Sequence, residues 1–537
     1  MADQYVIGVD FGTESGRAVV VRVRDGAELG SAVYQYANGV IDERLPESGK
    51  PLPPEWALQD PDDYIRTYQN AVPEAIRQSG IDPADVIGIG IDFTACTMMP
   101  TLKDGTPLCR VPQWRDNPHA WVKLWKHHAA QPEADTINET ARTIGEPWLD
   151  RYGGKISSEW FFSKVLQILN EAPDIYHAAD RLLEAADWVV WQLCGVETRN
   201  TCTAGYKAIY QDGKFPDEKY LAALNPELVD VVETKMMTDL APLGGRAGNL
   251  TEEAARWTGL KPGIAVAVAN VDAHVTVPAA QVTEPGRMVM IMGTSICHMV
   301  LGDSLHNVPG MCGVVYGGII PGMYGYEAGQ SGVGDIFAWF VDNAVPPEYH
   351  EAANKAGMDL HAYLEAEAAK QKPGEHGLLA LDWWNGNRSV LVDVDLSGLL
   401  IGATLGTRVI VENFEASGVP VTELVAAGGL PEKNKLLMQI YSDVTGREFR
   451  IIGSGQGPAL GSAMHAAVAA GAYPDIQAAA RAMGKLKDEV YQPIPAHQAV
   501  YGKLYAEYVT LHDYFGRGQN DVMKRLRKIR NEARGLD

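Results

Sequence analysis

Apolar and β-branched positions in this 537-residue chain gather twice into runs of the same design. Residues 5–9 form a short run that ends at Asp10, turn formers fill 10–16, and 17–23 is β-branched again, which predicts a hairpin. Residues 287–292 form a second run, Gly293, Thr294 and Ser295 make its turn, and 296–301 resumes the strand pattern. Stretches 86–93 and 264–268 also read as strands, whereas 62–78 and 433–444 carry helical spacing. One device met near the start and again past the middle predicts two related α/β lobes, residues 1–282 and 283–537. The turn-rich stretch 282–286 is the expected hinge.

Composition narrows the partners. With 46 basic residues against 68 acidic ones, the net charge of −22 repels nucleic acid and acidic membrane surfaces, so a phosphate ligand must be held by local groups. The basic run 523–530 alternates with apolar positions as a terminal helix would. Six scattered cysteines without a CxxC pair predict reduced thiols. His127 and His128 read as ordinary helix positions, and no histidine has metal-ligand spacing. Trp383 and Trp384 read as packing. No basic leader precedes the first run and no apolar stretch nears about 20 residues, so the expected location is the cytoplasm.

The chemistry concentrates in the turns. In residues 10–17, Gly12 lets backbone approach an anion, Thr13 and Ser15 offer hydroxyls, Arg17 adds charge, and Asp10 at a strand end can hold magnesium directly or through water. Such a loop alone is also what an ordinary glycine-rich hairpin looks like, but Gly293, Thr294 and Ser295 repeat it. Two such loops suit a nucleotide's phosphates gripped from both lobes. There is no GxxxxGK[ST], and 453–457 lacks the context of a dinucleotide fold, so P-loop and Rossmann readings fail. Residues 421–430 run through a strand into Gly428 and Gly429, and a helix starting over Pro431 to Asn434 suits the backing of an adenine. Asp272 follows the strand at 264–268 and precedes the hinge, where a carboxylate can accept a hydroxyl proton during phosphoryl transfer; a helix cap is the plainer alternative.

Taken in order, the 10–17 loop, residues 270–274, 292–295 and 427–429 resemble the FGGY family of carbohydrate kinases across nearly the whole chain. Residues 92–97, 203–207, 326–330 and 511–516 are similar to its L-ribulose-phosphorylating branch. The resemblance implies an actin-like (ribonuclease H-like) ATPase fold with a ligand cleft between two lobes, ATP and magnesium as cofactors, and transfer to the 5-hydroxyl of L-ribulose in arabinose breakdown. It implies Asp272 as catalytic base and Ala95, Lys207 and Glu327 as sugar contacts, with Trp114, Arg115 and Asp116 on a substrate loop. ATP contacts fall on Gly12, Thr13, Ser15, Arg17, Gly293, Thr294, Ser295, Gly428, Gly429 and Asn434. A homodimer fits the family. D-ribulose, D-xylulose or a pentitol remain alternative acceptors, and an actin-like ATPase without sugar transfer is the remote alternative.

Overall fold

In the computed structural model, which describes residues 3–236, 239–376, 378–384, 386–393, 396–398 and 405–534, the chain forms two compact units. The first takes Met1–Thr283, Val314–Gly325 and Gln456–Lys485; the second takes Glu284–Gly313, Tyr326–Gly455 and Leu486–Asp537. The first unit's leading stretch ends at Thr283, and two later segments of chain join it.

Alternation along one strand sets the layers of the first unit. Tyr5–Phe11 pairs antiparallel with Ser15–Arg22 and parallel with Val86–Phe93, placing Asp10 opposite Arg17 on one side and Asp92 on the other. Gly8 and Asp10 face one side of the sheet, Phe11 the other. On the Phe11 side the ring stacks on Phe93 at 5.2 Å and meets Tyr64 and Tyr68 of helix Pro61–Ser79 edge-on. That helix opens where the Asp60 carboxylate accepts from the Asp62 N–H and stops at Gly80, whose φ of 67° a β-carbon would disfavour. On the Gly8 side lies helix Gly457–Ala469, so close that a β-carbon on Gly8 would stand 1.8 Å from the Ala459 carbonyl and one on Gly90 2.0 Å from that of Ser462.

Strands Ala265–Ala267 and Asn270–Val271 extend this sheet parallel to Val86–Phe93, with Asn270 beside Asp92 and Val271 beside Phe93. A smaller antiparallel sheet of Leu58–Gln59, Val122–Lys123, Met98–Thr101 and Arg181–Glu184 carries a second apolar core, to which helix Phe161–Glu171 contributes. His127 belongs to a buried turn, not a helix; its ring accepts from the Ala57 N–H and meets the Gln167 amide oxygen at 2.9 Å.

The second unit repeats the device. Gly286–Met292 and Ile296–Gly302 form an antiparallel hairpin, and the first of them pairs parallel with Val421–Ala427, as Tyr5–Phe11 does with Val86–Phe93. Glu448–Ile452 continues the sheet in parallel and Leu486–Tyr491 closes it antiparallel. The helix expected over 433–444 runs from Lys435 to Thr445, started by the Asn434 side-chain oxygen, while Lys433 ends a separate short helix, Gly429–Lys433. Trp383 is buried in a cluster with Tyr505 and Tyr508 of helix Pro495–Gly516. The basic run falls in helix Val522–Arg534. Among the described residues no helix is long and apolar enough to cross a membrane.

Candidate active site

In the first unit, three aspartates end three adjacent parallel strands. Asp10 closes Tyr5–Phe11, Asp92 closes Val86–Phe93 in register with it, and Asp272 follows Asn270–Val271. Their environments differ. Burial pushes the Asp10 carboxyl up, and Arg17, 3.2 Å away, opposes the shift. Asp92 is fully buried and pushed up much further, first by burial, then by the charge of Asp10, with Asp272 adding to it; the Ser462 hydroxyl donates to it at 2.6 Å. Asp272 keeps partial solvent contact, opens helix Asp272–Ala279, and accepts the Ala273 N–H at 2.7 Å. Asp272 is therefore the first helical residue just past its strand and not the cap, a position that Val271 occupies.

The first loop is held from several sides. The Gly12 N–H donates to the Ser15 carbonyl, the Gln59 amide donates to the Thr13 carbonyl at 2.8 Å, and the Trp125 indole donates to the Thr13 hydroxyl at 3.0 Å. With its oxygen occupied as acceptor, the Thr13 hydroxyl keeps its proton to donate outward. Arg17 also reaches the Ser15 hydroxyl at 3.4 Å. The carboxylates offer only oxygen donors, which suits magnesium, and among the described residues no group of three or more His, Cys, Asp or Glu side chains could enclose a metal.

Ala95 lies half-buried in the loop after Phe93, closed by a 2.9 Å bond between the Thr94 and Thr97 hydroxyls. Lys207 ends helix Thr201–Lys207, 2% exposed, with its ammonium 5.4 Å from the Trp160 ring centroid. Trp114 packs against the second core, Arg115 pairs with Glu47 at 2.7 Å, and the Asp116 carbonyl accepts from Lys50.

In the second unit, Gly293 donates to the Ser295 carbonyl as Gly12 does to Ser15, and the Gly293 and Thr294 carbonyls accept the Gly334 and Val333 N–H groups. Glu327, 3% exposed, pairs with Arg388 at 3.3 Å. Gly428 has φ 99°, and a β-carbon there would stand 2.4 Å from the Met292 carbonyl, so only glycine fits; nothing lies within 4 Å of a β-carbon on Gly429. The Asn434 side-chain oxygen caps helix Lys435–Thr445 through the Leu437 N–H at 2.8 Å. Sequence reasoning gave Asp92, Ser462, Trp125 and Arg388 no role of their own. Asp92 alone had a signal, sharing its strand face with Gly88 and Gly90.

The N-terminal domain of the FGGY family of carbohydrate kinases matches residues 5–277, and its C-terminal domain matches 288–408 and 396–470. The chain is 57% identical over 559 residues to the ribulokinase of Anoxybacillus flavithermus, covering 100% of this chain and 99% of that one. It is 57% identical over 552 residues to the ribulokinase of Mycolicibacterium smegmatis, covering 99% and 97%. Among solved structures, the xylulose kinase of Rhodospirillum rubrum superposes with a TM-score of 0.74 at 21% identity, covering 95% of this chain and 98% of that one. Plasmodium falciparum glycerol kinase with ADP gives 0.71 at 15%, again covering 95% and 98%. The chain therefore belongs to the FGGY family of carbohydrate kinases, ATP-dependent sugar kinases with the two-lobed actin-like fold.

Proposed function

We propose that the protein transfers the γ-phosphoryl group of ATP to the 5-hydroxyl of L-ribulose, yielding L-ribulose 5-phosphate and ADP in L-arabinose catabolism, with Asp272 as general base. The observation that carries the mechanism is the contrast among the strand-end carboxyls: two are buried and pushed toward protonation, while Asp272 alone stands partly open at a helix start. The full-length relatives named ribulokinase support the acceptor.

In this reading Asp272 takes the proton as the 5-oxygen bonds to the γ-phosphorus and the bond to the ADP oxygen breaks. Thr13, Ser15, Arg17, Gly293, Thr294 and Ser295 hold the phosphates. Lys207 donates to the sugar's oxygens, Glu327 accepts from its hydroxyls, and small Ala95 leaves room. Trp114, Arg115 and Asp116 border the sugar. The open side of Gly429 takes the adenine, with Gly428 keeping the turn and Asn434 fixing the helix beyond it. Magnesium, held through Asp10, would neutralise phosphate charge. In this reading the protein works in the cytoplasm.

Replacing Asp272 by Asn should lower kcat by about three orders of magnitude while ATP affinity stays within about threefold. Loss of ATP binding to the same degree would move Asp272 to the nucleotide's metal and sink its role as base. Turnover of a ketopentose panel names the acceptor: preference for D-xylulose, D-ribulose or a pentitol overturns L-ribulose, and ATP consumption indifferent to every sugar overturns the kinase reading.

A further inference from the structure

The loop of residues 94–97 has a fastening that the activity does not explain. Cys96 has a φ of 59°, the left-handed region that a residue with a β-carbon adopts only when its surroundings impose it. The imposing group is Lys164 on helix Phe161–Glu171, completely buried, whose ammonium donates to the Cys96 carbonyl at 2.5 Å and the Leu124 carbonyl at 2.7 Å. Burial presses its pKa down to about 8, so this cation is kept at a cost. A merely structural link between two buried carbonyls could be made by a neutral amide donor. The Cys96 carbonyl leads directly to a named part of the site, since Cys96 follows Ala95. The loop's other ties are the bond between the Thr94 and Thr97 hydroxyls at 2.9 Å, the Thr94 N–H to the Phe11 carbonyl at 3.2 Å and the Ala185 N–H to the Thr97 carbonyl at 2.6 Å, leaving the Ala95–Cys96 corner to Lys164.

We propose that Lys164 is a positioning residue for the acceptor sugar, clamping the Cys96 carbonyl so that Ala95 presents one fixed backbone shape to the ketose. This rests on the sugar reading of Ala95 given above. The clamp acts on acceptor choice: a loosened loop admits more orientations of the sugar and discriminates less between ketopentoses.

The test is steady-state kinetics of Lys164→Met and Lys164→Gln on L-ribulose, D-ribulose and D-xylulose, with the KM for ATP measured alongside. The clamp predicts that Lys164→Met raises the ketopentose KM about tenfold or more and shrinks the ratio of kcat/KM between the preferred and next ketopentose by at least about threefold, with the KM for ATP within about twofold. Lys164→Gln, which can still reach one carbonyl, falls between, and it decides the matter if Lys164→Met does not fold. Unchanged sugar parameters in a folded variant, or equal losses for sugar and ATP, overturn the clamp and leave the proposed function standing. A wild-type protein inert toward every ketopentose overturns the proposed function and the clamp with it.

Discussion

At the scale of single residues, the protein tolerates ionisable groups in its interior where neighbours set their state. Asp92 is such a group beside Asp10, and His298 is another in the second unit. His298 is fully buried, neither ring nitrogen has a hydrogen-bond partner among the described residues, and burial, followed by the charge of Arg388, presses its pKa down to about 3. The unfolded chain takes up this proton near pH 6.5 and the folded one resists it, so stability is retained above 6.5 and lost as pH falls toward 3. His298→Leu should flatten the acid limb by about one proton between pH 6.5 and 4 relative to the parent, read from urea midpoints at several pH values. Parallel slopes for the two proteins would show that the ring carries no such penalty.

At the scale of elements, helix Gly457–Ala469 does most to place the first unit's carboxyls. Glycines let it sink onto the sheet at Gly8 and Gly90, and its own Gly461 lets helix Asp272–Ala279 approach, since a β-carbon there would stand 1.9 Å from the Val275 carbonyl. The close approach brings the Ser462 hydroxyl to Asp92 and supports the helix that Asp272 opens. Gly90→Ala must push backbone against backbone and should cost about 3 kcal/mol or more. Gly502, inside helix Pro495–Gly516 with nothing within 4 Å of a β-carbon, should instead gain up to about 1 kcal/mol as Ala. Chemical denaturation of the two variants beside the parent separates these signs; equal effects would remove the argument from close packing.

At the scale of the whole molecule, the first unit is made from three stretches of chain. A fragment of residues 1–282 lacks helix Gly457–Ala469 and exposes the glycine-bearing face of its sheet, with Asp92 short of its Ser462 partner. It should lack fixed tertiary structure, giving a weak near-ultraviolet circular dichroism spectrum and no cooperative melting transition. Cooperative unfolding of that fragment would show that the N-terminal stretch is a self-sufficient domain and that the later segments are dispensable to it.

How much of this was legible beforehand follows from the range of the interactions concerned. Both hairpins, their turns, the helix from Pro61 and the basic terminal helix came from local periodicity and turn chemistry, which act over a few residues. The order of the glycine motifs along the chain was enough to indicate the family. The start of the 433–444 helix only after Asn434 and the turn at His127 escaped because a side-chain cap and a buried contact overruled local preference. The Ser462 bond to Asp92 spans 370 positions and that of Lys164 to Cys96 spans 68, and no short-range pattern encodes such pairings. By itself the sequence determined which residue types could do the chemistry and on which turns they sit. Only the tertiary structure decided which of the aspartates is fully buried and which keeps solvent contact, because burial is a property of what packs against a residue.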